Sequence, residues 1–329
     1  MTVEITILGL GQIGTSIGLA LQGREDILYR RGYDNELGTA RQAQSRGAVD
    51  KVHINIPNAV SNADVVLLTL PMSEIRPMLQ TIAADLKEDA VVMDTSPVKQ
   101  AVSGWVKELL PPGRHYVGLT PVLHPDFLFS QDSGMQAASA DLFHDTPMLI
   151  AAPPGTPSQA VKLAADLTRL LGAVPLFAEL VEVDSLMAST HILPQLLSAA
   201  LINATVDQPG WREGRKLAGR PYTEVSAPIA HLDAPEALGQ AAVLNRENTL
   251  RVLDGFIAVL QRMRADVEAA DNESLTSRLQ RAREGRERWW AQRLAADWSS
   301  PETPASTLPS ASEIFGRLLG INRRQRGKE

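Results

Sequence analysis

The sequence predicts an α/β chain: a doubly wound parallel sheet first, then an all-helical C-terminal domain. Three observations predict it. Residues 1–178 alternate short apolar runs with stretches of helical period, the pattern of strands each followed by a helix. A glycine-rich turn, Gly9-Leu10-Gly11-Gln12-Ile13-Gly14, joins the first such strand to the first helix. From Glu179 the strand pattern stops and helical periodicity takes over. The 329 residues allow two domains. They are read as 1–178 and 179–297, with 298–329 as a linker and basic tail.

The first strand is the apolar run Val3–Leu8, and the helix after it begins with Thr15-Ser16-Ile17-Gly18-Leu19-Ala20-Leu21. A second apolar segment ends at Tyr33-Asp34, and Asp34 lies 20 residues after Gly14. This is the fingerprint of a Rossmann-type dinucleotide-binding domain. Gly9 permits the tight turn, Gly11 admits a pyrophosphate close to the backbone, and Gly14 lets the helix sit against the strand. The helix N-terminus offers free N–H groups to the phosphates. Asp34 suits both hydroxyls of an adenine ribose and repels a 2′-phosphate. Asn35 and Glu36 supply no cation to hold one. The expected cofactor is therefore NAD rather than NADP, held by Gly9, Leu10, Gly11, Gln12, Ile13, Gly14 and Asp34.

The alternation continues with a helix over Leu37–Arg46 and a short strand near Val49–His53. A central strand, Ala63–Leu70, stops at Pro71. Ser73 is placed to cap a helix over 74–84. Ala90–Asp94 is a strand and Val98–Leu110 a helix. His115–Leu119, Met148–Ala151 and Val174–Phe177 are strands, with a helix over 157–172. Ligands of such sheets lie beyond the C-terminal strand ends. Leu70 and Pro71 are thus expected at the nicotinamide side, together with Thr95 and Ser96; Ser96 has the alternative of capping the next helix. The segment Pro121–Asp145 has no period and carries His124, Asp126, Asp132 and His144; a loop this long points to function.

The helical part opens with Val181–Thr205, apolar almost throughout, which reads as a buried central helix. Shorter helices are expected over Gly210–Arg220 and Thr223–Ala230. Pro235 starts a long helix to about Ala270 with a stripe from Leu238 to Val267. A charged helix follows over 273–297. Helices this apolar commonly bury a surplus face in a dimer. In the tail, Ser312–Ile321 is amphipathic and precedes the basic run Asn322–Lys328.

Composition narrows the class. The chain is 44% hydrophobic and 21% charged, in the range of soluble globular proteins. It has no cysteine, which excludes disulfides, thiolate metal sites and a cysteine nucleophile; no metal is expected. A net charge of −6 argues against nucleic acid as a partner. The first strand starts by residue 3, leaving no room for a signal peptide, and no apolar run of 18 residues is seen. The expectation is a cytoplasmic protein without a membrane span.

Several stretches together resemble the prephenate/arogenate dehydrogenase family. They are Gly9–Gly14 with Asp34, Asp94-Thr95-Ser96-Pro97-Val98-Lys99, Ser133-Gly134-Met135-Gln136-Ala137-Ala138 with Asp141-Leu142-Phe143, and Asp184…Ala188…Leu193-Pro194 before Ala199-Ala200-Leu201. The resemblance covers roughly residues 1–270. It implies a Rossmann domain, a helical dimerisation domain and NAD(P)-dependent oxidative decarboxylation of prephenate or arogenate in tyrosine biosynthesis.

The family's working residues carry over unevenly. Its Gly-x-His-Pro reads Gly118-Leu119-Thr120-Pro121 here, so Thr120 stands where the resemblance implies a histidine bonded to the substrate hydroxyl. Its motif serine falls on Pro97 and its helix histidine on Ile192, beside His191. The Arg implied to meet a substrate carboxylate falls on Ala227, after Ser226. Oxidising an alcohol requires a group that takes its proton, and threonine is too weak. His124 and His191 are the candidates, with Thr120 hydrogen-bonding; His53, His115, His144 and His231 are read as structural, and Lys99 as solvated or structural, with a carboxylate partner as its alternative. The expected partner is a small carboxylated substrate. Two alternatives stand beside it: a related dehydrogenase of a 3-hydroxy acid or imine, and a non-catalytic NAD-binding dimer.

Overall fold

The computed structural model describes residues 2–130, 132–230 and 234–296. His231, the linker and the basic tail lie outside the described residues. Contacts divide the chain into two units, one of residues up to 70 with 74–180, the other of 71–73 with 181–295.

In the first unit the strands are β1 (Val3–Leu8), β2 (Leu28–Tyr33), β3 (Lys51–Val52), β4 (Val65–Leu68), β5 (Val91–Asp94), β6 (His115–Pro121), β7 (Pro147–Ala151) and β8 (Val174–Phe177). The helices are α1 (Gln12–Ala20), α2 (Leu37–Ser45), α3 (Ile56–Val60), α4 (Met72–Ile82), α5 (Lys99–Leu109) and α6 (Ser158–Leu170). The sheet order is β3-β2-β1-β4-β5-β6-β7-β8. β1 pairs in parallel with both β2 and β4, so the strand order reverses beside it. That reversal opens a crevice at the C-terminal end of β1, where the glycine turn sits. β4 and β5 are buried at every position, which is why they read as unbroken apolar runs.

Several details differ from the expectation. β7 runs antiparallel to β6. Among the described residues of 122–146 no helix crosses back between them, and the segment carries the 3-10 turns Pro125–Phe127 and Gly134–Ala137. A chain that re-enters from the end where it left must run the other way. Ser73 lies inside α4 rather than capping it. The five-residue α3 was unforeseen, although Asn55 caps it by accepting the Asn58 N–H at 3.2 Å and Pro57 stands at its start.

The remaining differences fall in the second unit, which holds α7 (Leu180–Met187), α8 (Leu193–Thr205), α9 (Trp211–Leu217), α10 (Arg220–Ala230), α11 (Pro235–Leu244), α12 (Arg246–Glu268) and α13 (Asn272–Ala295). α7 and α8 are joined by a π-helical turn, Ala188–Ile192, into one run that is not a buried core helix. Only Val183, Asp184, Ala188, Ile192 and Ser198 are buried along it, while Val181 and Leu186 are exposed. The run is also long and apolar enough, by length and composition, to cross a membrane, against the expectation that no such stretch exists. Apolar composition alone does not separate a core, a lipid face and a partner face. The helix expected over 235–270 breaks at Asn245, whose side-chain Nδ2 donates to the Asp184 carbonyl at 2.7 Å. Its stripe ends early, since Leu260 and Val267 are exposed.

Candidate functional site

The glycine turn is built as its sequence requires. Gly9 has a left-handed φ of +93°, and a Cβ there would lie 2.5 Å from the Thr69 carbonyl. A Cβ on Gly14 would lie 2.0 Å from the Gly9 carbonyl. A Cβ on Gly11 would meet nothing within 4 Å, so the space above the helix start is open for a phosphate. Asp34 is the third part. One oxygen accepts the Leu10 N–H at 2.7 Å and the other the Glu36 N–H at 2.9 Å. These bonds fix the carboxylate at the tip of β2 beside the turn. Gln12 and Ile13 begin α1, and Leu70 and Pro71 follow β4, Leu70 packing toward Gly9. Sequence reasoning missed Thr69, whose hydroxyl donates to the Gly9 carbonyl at 2.6 Å and so clamps the turn onto β4.

The segment after β6 is not loose. Arg46 donates to the carbonyls of Met135 at 2.6 Å and Ala138 at 2.8 Å. Gln12 donates to the Ala137 carbonyl at 3.2 Å, and Ser16 accepts the Ser139 N–H at 3.0 Å. Met135, Leu142 and Phe143 join the hydrophobic core. The fingerprint helix thus carries the Gly134–Ser139 stretch directly. No periodic signal announces such side-chain clamps on backbone carbonyls.

At the end of β5 the structure decides between the readings left open for Lys99 and Ser96. Lys99 is fully buried rather than solvated, and pairs with the equally buried Asp94 at 3.0 Å. Asp94 also accepts the Tyr116 hydroxyl at 2.5 Å, the Ser96 N–H at 2.8 Å and the Ser96 hydroxyl. Four donors on one carboxylate offset the cost of burying it. Ser96 is buried and committed to Asp94, so it does not cap α5, whose first flanking residue is Val98. Thr95 keeps some exposure beside it.

The candidate proton-handling residues differ in environment. Thr120 is only 5% exposed, and its hydroxyl has no hydrogen-bond partner among the described residues. A buried unpaired hydroxyl is costly and points to an absent partner. His124 caps the Pro125–Phe127 turn, its Nδ1 accepting the Asp126 N–H at 3.3 Å. The Asp126 carboxylate lies 3.5 Å from the same nitrogen, so Nε2 is the ring nitrogen these local contacts leave for another partner. His191 lies in the π-helical turn, a device frequent at functional sites. No hydrogen bond to its ring is made among the described residues. It keeps solvent contact, while the protein packed around it pushes its pKa below that of a free imidazole. His115 and His144 sit beside Asp89 and Asp145 at 3.6 and 3.1 Å.

The His191 direction has a sign. A lowered pKa keeps the imidazole neutral to more acidic pH. If His191 is the base, kcat/KM falls only as pH drops below the ordinary imidazole range, and His191→Asn removes that limb. A pH–rate profile checks it; an acidic limb above that range excludes His191. Folded stability shifts with the same sign, being lost as pH falls, because the unfolded chain takes up the proton first.

With this geometry in view, comparison with known proteins is decisive on ancestry. Residues 17–176 match the prephenate dehydrogenase nucleotide-binding domain, and residues 181–281 match the prephenate dehydrogenase dimerization domain. The chain belongs to the prephenate dehydrogenase family. It is 27% identical over 291 residues to the cyclohexadienyl dehydrogenase of Zymomonas mobilis, covering 87% of this chain and 96% of that one. It is 25% identical over 279 residues to the prephenate dehydrogenase of Bacillus subtilis, covering 84% of this chain and 73% of that one. The fold matches that of Aquifex aeolicus prephenate dehydrogenase, crystallised with hydroxyphenyl propionate and NAD+, at a TM-score of 0.75 and 19% identity over 88% of this chain and 98% of that one. It also matches Synechocystis arogenate dehydrogenase, at 0.67 and 22% over 87% and 100%. Family membership makes the chain a dehydrogenase whose first unit is its nucleotide-binding domain.

Proposed function

We propose that this dehydrogenase uses NAD to oxidise and decarboxylate a cyclohexadienol carboxylate, prephenate or arogenate. The observation that carries the reading is the match of both family domains in order, on a chain whose first turn holds Asp34 ready for an unphosphorylated ribose. NAD, when bound, accepts the hydride from the ring carbon that bears the hydroxyl. The Gly9–Gly14 turn and Asp34 would hold the dinucleotide, with Leu70, Pro71 and Thr95 as the residues that would meet its nicotinamide half; Ser96 supports that strand end through Asp94. The hydroxyl proton goes to His191, with His124 as a donor and Thr120 as a hydrogen-bonding group. Loss of the ring carboxylate as CO2 then restores aromaticity.

The exposed apolar residues of the second unit, among them Val181, Leu186, Val243, Leu250 and Ile257, support a homodimer. The run from 180 to 205 lies almost wholly within the part that matches a dimerization domain, which favours a second protomer over lipid as its cover. A soluble, cytoplasmic enzyme of aromatic amino acid biosynthesis follows from this reading.

One observation favours a second substrate class. Thr120 and Ala227 stand where the resemblance implies a histidine and an arginine, which suits another small carboxylated substrate such as a 3-hydroxy acid or imine. The test is turnover of purified protein with NAD and each of prephenate and arogenate, followed by reduced-cofactor absorbance. Turnover of either supports the reading. None, with NAD still bound, transfers it to the second class or to a non-catalytic NAD-binding dimer.

A further inference from the structure

His124 stands just past the end of β6, and the stretch that follows it returns to lie on the helix of the glycine turn. Two bonds close the base of this stretch. The Thr146 hydroxyl donates to the Val122 carbonyl at 2.6 Å, and the His124 N–H donates to the Leu142 carbonyl at 2.8 Å. The backbone of His124 is therefore fixed to that of Leu142, which is fully buried in the core. Three residues before Leu142, the Ser139 N–H donates to the Ser16 hydroxyl on α1 at 3.0 Å.

The arm before Ser139 has little regular structure of its own. Gly134–Ala137 is a single 3-10 turn, and carbonyls at the end of such a turn need donors from elsewhere. Arg46 supplies them. Its Nη1 donates to the Met135 carbonyl at 2.6 Å and its Nη2 to the Ala138 carbonyl at 2.8 Å. A guanidinium spans two carbonyls at once because its donors stand in a rigid planar fork; an ammonium has no such fork. Arg46 directly follows α2, and α2 begins three residues after Asp34. Gln12, the first residue of α1, adds a bond to the Ala137 carbonyl at 3.2 Å. The elements on either side of the glycine turn thus grip the arm that leads to His124. Both bonds of Arg46 end on backbone carbonyls, so what it contributes is placement.

We propose that Arg46 is a positioning residue for His124: it locks the 134–139 arm onto α1, and the arm holds His124 through Leu142. The proposal rests on the reading that gives His124 a part in the reaction. The test joins turnover of prephenate or arogenate to a readout that needs no turnover. Arg46→Gln lowers kcat about tenfold with NAD affinity within about twofold of wild type, and Arg46→Lys recovers part of the loss. Added to His124→Asn, Arg46→Gln lowers kcat by less than about twofold more, because residues that act as a unit are not additive. A merely structural role would multiply the two losses. In protein labelled with 15N-histidine, Arg46→Gln moves the His124 ring signals, identified by their absence in His124→Asn, and leaves those of His115 in place. Ser16→Ala moves the same signals less, and serves should Arg46→Gln not fold. Unmoved His124 signals, multiplied losses, or a loss of NAD affinity as large as the loss of kcat overturn the proposal. Moved signals in a protein that turns over neither substrate keep the placement and sink the reaction. Wild-type kcat in Arg46→Gln keeps the reaction and sinks the placement.

Discussion

Gly14→Ala is expected to lower NAD affinity by about 100-fold, with turnover falling in step. The added methyl would lie 2.0 Å from the Gly9 carbonyl and 2.5 Å from the Thr69 hydroxyl. Neither neighbour can retreat. The Gly9 N–H is bonded to the Tyr33 carbonyl at 2.9 Å, and Thr69 bonds the carbonyls of both Leu8 and Gly9. The start of α1 must therefore move off β1, and displacement on the scale of an ångström ruins a phosphate site made of backbone N–H groups. Gly11→Ala separates packing from binding. Its methyl meets no protein atom, so thermal stability holds while the methyl intrudes on the pyrophosphate. Calorimetry with NAD and a melting curve on each variant decide it. A Gly14→Ala protein that binds NAD within a few-fold of wild type contradicts the assignment.

Lys99→Met is expected to cost about 3–5 kcal/mol of stability in the first unit, because it leaves the Asp94 carboxylate buried with no opposite charge. Tyr116 and Ser96 remain as donors, but they do not neutralise it. Asp94→Leu is also destabilising, since it removes the charge that faces the buried ammonium and leaves it the carbonyl of residue 94. The double variant recovers much of the loss, because an apolar pair replaces an ion pair at lower desolvation cost. A double-mutant cycle by chemical denaturation measures this coupling. Two single variants near wild-type stability would show that the pair carries little. Gly118 is part of the same arrangement, since a Cβ there would lie 2.7 Å from the Lys99 Cδ. The small residue clears a path for the lysine stem.

These two sites mark how far the sequence could be read. The glycine turn was legible because each of its residues answers a backbone demand: a positive φ, an open approach, or a close packing. Asp34 was legible because its distance from Gly14 is fixed by the length of one βαβ unit. β4 and β5 were legible because burial on both faces leaves an unbroken apolar run. Lys99 was not, because a lysine at a helix start carries no mark of its depth; only the carboxylate and tyrosine brought in by β5 and β6 make its burial tolerable. Arg46 was equally silent, since its partners are backbone carbonyls 89 and 92 residues away. The run from 180 to 205 was misread as core because its apolar composition says that it must be covered and not by what.

The most direct measurement is the stoichiometry of carbon dioxide to reduced cofactor, with NAD and either prephenate or arogenate as substrate. An oxidative decarboxylase releases one equivalent of CO2 for each NAD reduced, and the account predicts that ratio with at least one of the two. Reduced cofactor without CO2 release, or no reduction with either substrate by a protein that binds NAD, would contradict it.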